Sequence, residues 1–215
     1  MKKKTYAVLG LGRYGTAVAK ELVKNGADVI AVDKNEQIVQ DSSVYLPICK
    51  CADITDPEVI SELGISNADV VIVAMASSLE GSILAITLCK EAGVKTVIAK
   101  CANETHRKIL KRVGADTVVF PENESGTRLA KNLLTSGFTD VLTLSDDLSL
   151  VELATRDEWV GKSLKELNLR KKYTVNVVAF RKNGKITDTV NPEELLDKDT
   201  EIIAIVNTAK LSKLK

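Results

Sequence analysis

The chain has 215 residues, enough for one large or two modest domains, and 45% of them are hydrophobic, an ordinary share for a protein that buries a core. Thirty basic residues against 29 acidic ones leave a net charge of +1, so the overall balance gives no sign of a nucleic-acid partner, which usually requires a basic face. The longest apolar run, Val70–Ala76, falls far short of the roughly 20 residues that span a bilayer.

"MKKK" resembles the start of a leader, but the apolar stretch behind it carries a glycine motif and no small-residue cleavage site, so no export signal is expected. "TYAVLG" (5–10) reads as a buried strand and 13–25 as a helix, with Val18 and Leu22 one turn apart. A strand over 27–33 ends in Asp33, followed by a short helix over 35–41 and a strand over 46–53 with Pro47 near its start. Residues 56–64 read as a helix with Asp56 as cap, Pro57 at its first position and Gly64 as its stop. Strands over 68–75, 95–101 and 115–120 alternate with helices over 78–92 and 103–113; the first of these helices is apolar nearly all round (Ile83, Leu84, Ile86, Leu88), a surplus expected to serve assembly into a ring. Strands apolar on both faces and alternating with helices predict a Rossmann-like parallel sheet covered on both sides, an α/β lobe.

After "FPENESG" the pattern changes. A helix is expected over 125–136, with Leu129, Leu133 and Leu134 on one stripe and Gly137 as its stop. Two strands with a turn follow over 139–155, then one short helix within 161–173. A hairpin turns at Asn183–Gly184, and a last strand covers 199–208. These elements form a small α+β domain, and the boundary is placed after residue 136, giving domains 1–136 and 137–215.

Glycines 10, 12 and 15 follow a strand, open a helix, and precede by 18 residues an acid at the end of the next strand, Asp33. That is the dinucleotide fingerprint. Gly10 serves the tight turn, Gly12 the approach of backbone to phosphate, and Gly15 the packing of helix on strand. The helix start offers N–H groups and a positive dipole end to phosphates. Asp33 suits ribose hydroxyls and disfavours a 2′-phosphate. Arg13, between the second and third glycines, suits a terminal phosphate better than a pyrophosphate bridge, with a solvated surface arginine as the alternative. Asp53 and Ala74–Ser77 follow the third and fourth strands, where open α/β sheets bind ligands.

Catalytic equipment is sparse. His106, the sole histidine, lies on the polar face of its helix. There is no nucleophile elbow and no metal-spaced His/Cys set, so no enzyme is expected. Cys49, Cys51, Cys89 and Cys101 show no CxxC pair and read as reduced, small buried hydrophobes, with a metal or redox role for Cys49 and Cys51 as the alternative.

The order of "GLGRYG", "AVD", "CADITDPEVISELGISNADVVIVAM", "VIAKCANETHRKILKRVGAD" and "FPENESG", with the tail from "SLVELAT" to "EIIAIV", resembles the regulator-of-potassium-conductance (RCK) family over nearly the whole chain. The likeness is to the cytosolic Trk/Ktr-type potassium-uptake regulators of bacteria, and the single copy of each lobe resembles the shorter Ktr type. The resemblance implies ATP or ADP in the first lobe, assembly of dimers into a ring, an octamer, and docking on a membrane potassium transporter at the inner face of the cell membrane. Gly10, Gly12, Arg13 and Gly15 would hold phosphates and Asp33 the ribose. Asp53, Ala74 and Lys100 would flank adenine or phosphates, with Tyr14, Lys34 and Ser77 as further nucleotide-binding residues. Glu122 matches a position that can reach a divalent cation, Mg or Ca, near the terminal phosphate. Leu167, Arg170, Val175, Asn176, Val178 and Pro192 match a cyclic di-AMP site. An NAD(H)-binding redox sensor or oxidoreductase domain, or a free cyclic-dinucleotide receptor, are the alternatives.

Overall fold

A computed structural model of the chain describes residues 4–134, 138–145 and 147–210. It divides into two compact units, Met1–Glu122 and Asn123–Lys215. The α/β Rossmann-like lobe followed by a small α+β domain, expected from the alternation of strands and helices, is present.

The first unit is a six-stranded parallel sheet in the order β3-β2-β1-β4-β5-β6, formed by β1 (Thr5–Leu9), β2 (Asp28–Asp33), β3 (Ile48–Cys51), β4 (Val70–Val73), β5 (Thr96–Lys100) and β6 (Thr117–Val119). The order reverses between β1 and β4, and all five pairings are parallel. Strand side chains alternate between faces, and both faces are covered. Ala7 and Leu9 of β1 with Val71 and Val73 of β4 pack into one core. Val8 and Ile72, one residue out of step, pack into the other. α1 (Arg13–Lys24) and α2 (Glu36–Ser43) cover the second face, and α3 (Pro57–Glu62), α4 (Leu79–Glu91) and α5 (Glu104–Arg112) the first. Asp56 caps α3 through the Glu58 N–H, and Gly64, with φ 67°, follows it as expected.

α4 differs from expectation in one respect. Its apolar surface is mostly used up: Ile86 is fully buried, and Ile83 and Leu88 also pack on the core. Only Leu84, 41% exposed, stays open. The helix lies between the sheet and its neighbours α3 and α5, so it needs apolar residues on more than one side.

α6 (Pro121–Leu134) starts four residues earlier than the expected helix. Pro121 is pre-organised for a first helical position, and Glu122 and Glu124 favour the positive end of the helix dipole. The expected stop at Gly137 lies outside the described residues. Leu129 and Leu133 are 60% and 77% exposed.

The second unit is an antiparallel sheet in the order β10-β9-β11-β8-β7, from β7 (Phe138–Thr143), β8 (Leu148–Ala154), β9 (Asn176–Lys182), β10 (Lys185–Thr187) and β11 (Thr200–Asn207). β9 and β10 turn through Asn183 and Gly184, both at positive φ as a tight primed turn requires. The single expected helix is two, α7 (Leu164–Leu167) and α8 (Leu169–Tyr173). Ser163 and Glu166 form a capping box that starts α7, and Asn168 at φ 49° breaks the run, since asparagine tolerates the left-handed region better than most residues.

Candidate functional site

A cavity of about 510 Å³ opens at the carboxyl ends of β1 to β4. The turn after β1 builds its floor. Gly10 stands at φ 95°, and a Cβ there would meet Met75 Cγ at 2.8 Å. The Gly10 N–H donates to Val32 O, and the Ala74 N–H donates to Leu9 O, so the turn is pinned to both neighbouring strands. A Cβ on Gly15 would sit 1.9 Å from Gly10 O, so this glycine lets α1 close on the turn itself as well as on Ala74, directly after β4, whose Cβ would lie 3.1 Å away. Gly12 is different. Its φ is −62° and a Cβ would meet nothing within 4 Å. No internal packing demands glycine there; the open space belongs to whatever approaches the backbone.

The start of α1 has neither a side-chain cap nor an acid in its first turn. α2, α3, α4 and α5 each have both: a capping Asn35, Asp56, Ser78 or Asn103, with Glu36, Glu58, Glu80 or Glu104 in the first turn. The N–H groups and dipole of α1 therefore face the cavity mouth uncompensated by side chains, which suits an anion.

Asp33 is held from two sides. Its Oδ2 accepts the Leu11 N–H at 2.7 Å and its Oδ1 the Asn35 N–H at 2.9 Å. A carboxylate has about four acceptor positions, so each oxygen keeps one for a ligand. Asp53 Oδ1 accepts both the Thr55 hydroxyl at 2.7 Å and its N–H at 3.0 Å, which holds the carboxyl below its usual range; the Lys34 charge adds to this.

Of the residues expected at the site, Gly10, Gly12, Asp33, Lys34, Asp53, Ala74 and Ser77 line the cavity. Arg13, Tyr14, Gly15 and Lys100 do not. Gly15 is buried against the turn, and Arg13 is exposed on the first residue of α1. Lys100 Nζ donates to Glu122 Oε1 at 2.5 Å and lies 5.7 Å from the Tyr14 ring centre. That hydrogen bond holds the Glu122 carboxyl below its usual range. Among the described residues, no group of three or more His, Cys, Asp and Glu is placed to hold a metal ion.

The sequence reading missed Ile38, Ile54 and Leu84, which form an apolar wall with Met75 of the expected Ala74–Ser77 segment, together with Thr55, Ser78 and Gly81. The wall comes from four separate segments and leaves no linear signal. The Asp53–Thr55 spacing of an Asx-type turn and Ser78 ahead of a helix were signals that could have found the rest.

Cys89 and Cys101 are buried as expected, and burial pushes the Cys89 thiol up to about 12. Cys49 is half-buried, with its thiol raised by burial and by Asp33. Cys51 is exposed, against expectation, because β3 is the edge of the sheet. His106 is half-buried on α5.

In the second unit a groove of about 410 Å³ brings together Arg170, Val175, Asn176 and Pro192 of the expected cyclic-dinucleotide set. Leu167 is in the lobe's core and Val178 lies outside the groove.

Comparison with known proteins agrees with this architecture. Residues 6–121 match the TrkA-N domain and 148–215 the TrkA-C domain. The chain is 34% identical over 213 residues to the Ktr system potassium uptake protein C of Bacillus subtilis (strain 168), covering 99% of this chain and 96% of that one. It is 33% identical over 213 residues to the Ktr system potassium uptake protein A of Vibrio alginolyticus, covering 99% and 97%. Among solved structures, the GsuK channel superposes with a TM-score of 0.72 at 17% identity, over 99% of this chain and 39% of that one, a likeness of fold. Among the described residues no helix is long and apolar enough to cross a membrane. With a TrkA-N domain followed by a TrkA-C domain and full-length similarity to Ktr proteins, the chain belongs to the Trk/Ktr-type potassium-uptake proteins of the RCK family.

Proposed function

We propose that the chain is a non-enzymatic regulatory subunit that senses adenine nucleotide in its first lobe and gates a membrane potassium transporter. The observation that carries this reading is the cavity itself, which lies beside the reversal point of a parallel sheet, with an uncapped helix start and an anchored carboxylate facing one space. Phosphates rest on the Gly10–Gly12 turn and the start of α1, ribose hydroxyls on Asp33, and adenine among Ile38, Ile54, Met75 and Leu84. Arg13 reads the terminal phosphate that distinguishes ATP from ADP. The subunit works at the inner face of the cell membrane as a ring of dimers, an octamer by family likeness, and the exposed Leu129 and Leu133 of α6 supply apolar surface for assembly. The groove at Arg170 and Asn176 supports a second site, for cyclic di-AMP.

Thermal unfolding with each of ATP, ADP, NAD and NADH tests the first site, because a ligand at 100 times its Kd adds about 2.7 kcal/mol. ATP and ADP are expected to protect more than either dinucleotide. Stronger protection by NAD or NADH overturns the adenine-nucleotide reading in favour of a redox sensor. Cyclic di-AMP without effect on unfolding or by calorimetry overturns the second site.

A further inference from the structure

A sheet with this strand order consists of two mononucleotide-binding halves, β1–β3 and β4–β6, and a dinucleotide spans the crevice between them. The two halves differ in this protein. The cavity is lined from the ends of β1, β2, β3 and β4 and the start of α4. Among the described residues, none of β5, β6 or the segments directly after them lines it. The carboxyl ends of those two strands carry a charged bridge instead. Lys100, the last residue of β5, donates Nζ to Oε1 of Glu122 in the first turn of α6 at 2.5 Å. The lysine side chain is largely buried, at 15% exposure, beside the Tyr14 ring in the first turn of α1.

We infer that the Lys100–Glu122 bridge determines the specificity of the nucleotide site: it fills the place of a second nucleoside, so the chain accepts adenine mononucleotides and rejects ligands that carry a sugar beyond the second phosphate. This rests on the reading of the cavity as an adenine-nucleotide site. The chemistry separates the two ligand classes. A further phosphate is an anion, and Lys100 can share its ammonium with it through a charge-assisted hydrogen bond while still facing Glu122. A ribose with its base is bulky and carries no anion that could replace the carboxylate. Seating it separates the pair and leaves a largely buried ammonium without its partner, a costly state. The selection thus acts through a cost placed on the wrong ligand.

The test is calorimetry of the full chain with ADP, the β-methyl ester of ADP, ADP-ribose and NAD. The methyl ester has the same phosphate charge as ADP-ribose but lacks the second sugar. Wild type is expected to bind ADP-ribose and NAD at least tenfold more weakly than the methyl ester. The Lys100→Ala/Glu122→Ala variant is expected to close that gap to within threefold. The inference is overturned if wild type binds ADP-ribose within threefold of the methyl ester, or if the double variant keeps the tenfold gap. If the double variant does not fold, Glu122→Gln, which keeps the shape and removes the charge, should narrow the gap at least threefold, and an unchanged gap is equally fatal. Failure of ADP itself to bind wild type would overturn the site reading instead, a result distinct from any ratio among the ligands.

Discussion

Three glycines of one motif perform three different tasks, and substitution separates them. Gly15→Ala places a Cβ at 1.9 Å from a backbone oxygen. It should lower stability by about 1–3 kcal/mol through overpacking, even though alanine is the better helix former. Gly12→Ala meets open space at an ordinary φ, so stability should stay within about 0.5 kcal/mol. Nucleotide affinity should nevertheless fall at least tenfold, by calorimetry, because the methyl group occupies the approach to the phosphates. Asp33→Ala removes the two proposed charge-assisted ribose contacts as well as the anchors to Leu11 and Asn35. At about 1.5–3 kcal/mol, the lost ribose contacts weaken ATP and ADP alike by roughly 10- to 150-fold. Arg13→Ala should act unequally: the ATP-over-ADP ratio should collapse while ADP affinity stays within a few fold, since only a differential contact can favour one ligand. A folded Arg13→Ala protein that retains the full ratio would rule out this role. The role of Gly10 was legible in the sequence because a tight turn after a strand needs it. That α1 lies so close to the Gly10 carbonyl that Gly15 has no room for a Cβ was not, because it depends on how α1 returns over the turn.

At the scale of elements, position in the sheet decides the fate of the thiols. β3 is an edge strand, and its Cys51 is exposed, whereas Cys89 on α4 and Cys101 after β5 are buried. Iodoacetamide followed by mass spectrometry should label Cys51 first, Cys49 more slowly, and Cys89 and Cys101 only on unfolding. The reason is access together with the thiolate fraction, which burial suppresses at Cys89. Early labelling of Cys89 would contradict the placement of α4. Ile86, fully buried on that helix, should cost about 2–5 kcal/mol when cut to alanine, measured by urea unfolding. Periodicity identified the helices that cover the two faces of the sheet, but it read α4 as apolar nearly all round without showing that α3 and α5 flank it. It also ran through Asn168, where a single left-handed residue divides α7 from α8.

In the whole molecule each unit has its own core, two clusters within residues 7–118 and one within 141–206. Adenine nucleotide should therefore raise the unfolding transition of the first unit and leave that of the second in place, as followed by hydrogen exchange. Acid should weaken the first unit through Asp116. Its Oδ2 accepts Lys90 Nζ and the Val97 N–H, each at 2.6 Å, and Lys90 foremost holds the carboxyl below its usual range. Because the folded value is the lower one, the stabilisation is complete above the ordinary carboxylate range, about pH 4, and is lost as pH falls through the folded value. With the pair partly exposed, the contribution is about 1 kcal/mol or less. Asp116→Asn should lower the urea midpoint at pH 7 and make little difference at pH 3.

Local chemistry by itself determined much of this protein: the alternation of strand and helix, the parallel first sheet, the Asn183–Gly184 hairpin, and the cluster of Gly10, Gly12 and Asp33 at strand ends. Each follows from a spacing or a backbone requirement that neighbouring residues express. Only the tertiary structure decided which distant segments meet. Ile38, Ile54, Met75 and Leu84 become one wall, and Lys100 joins Glu122 across 22 residues of sequence, because parallel strands bring their carboxyl ends to a common edge whatever lies between them.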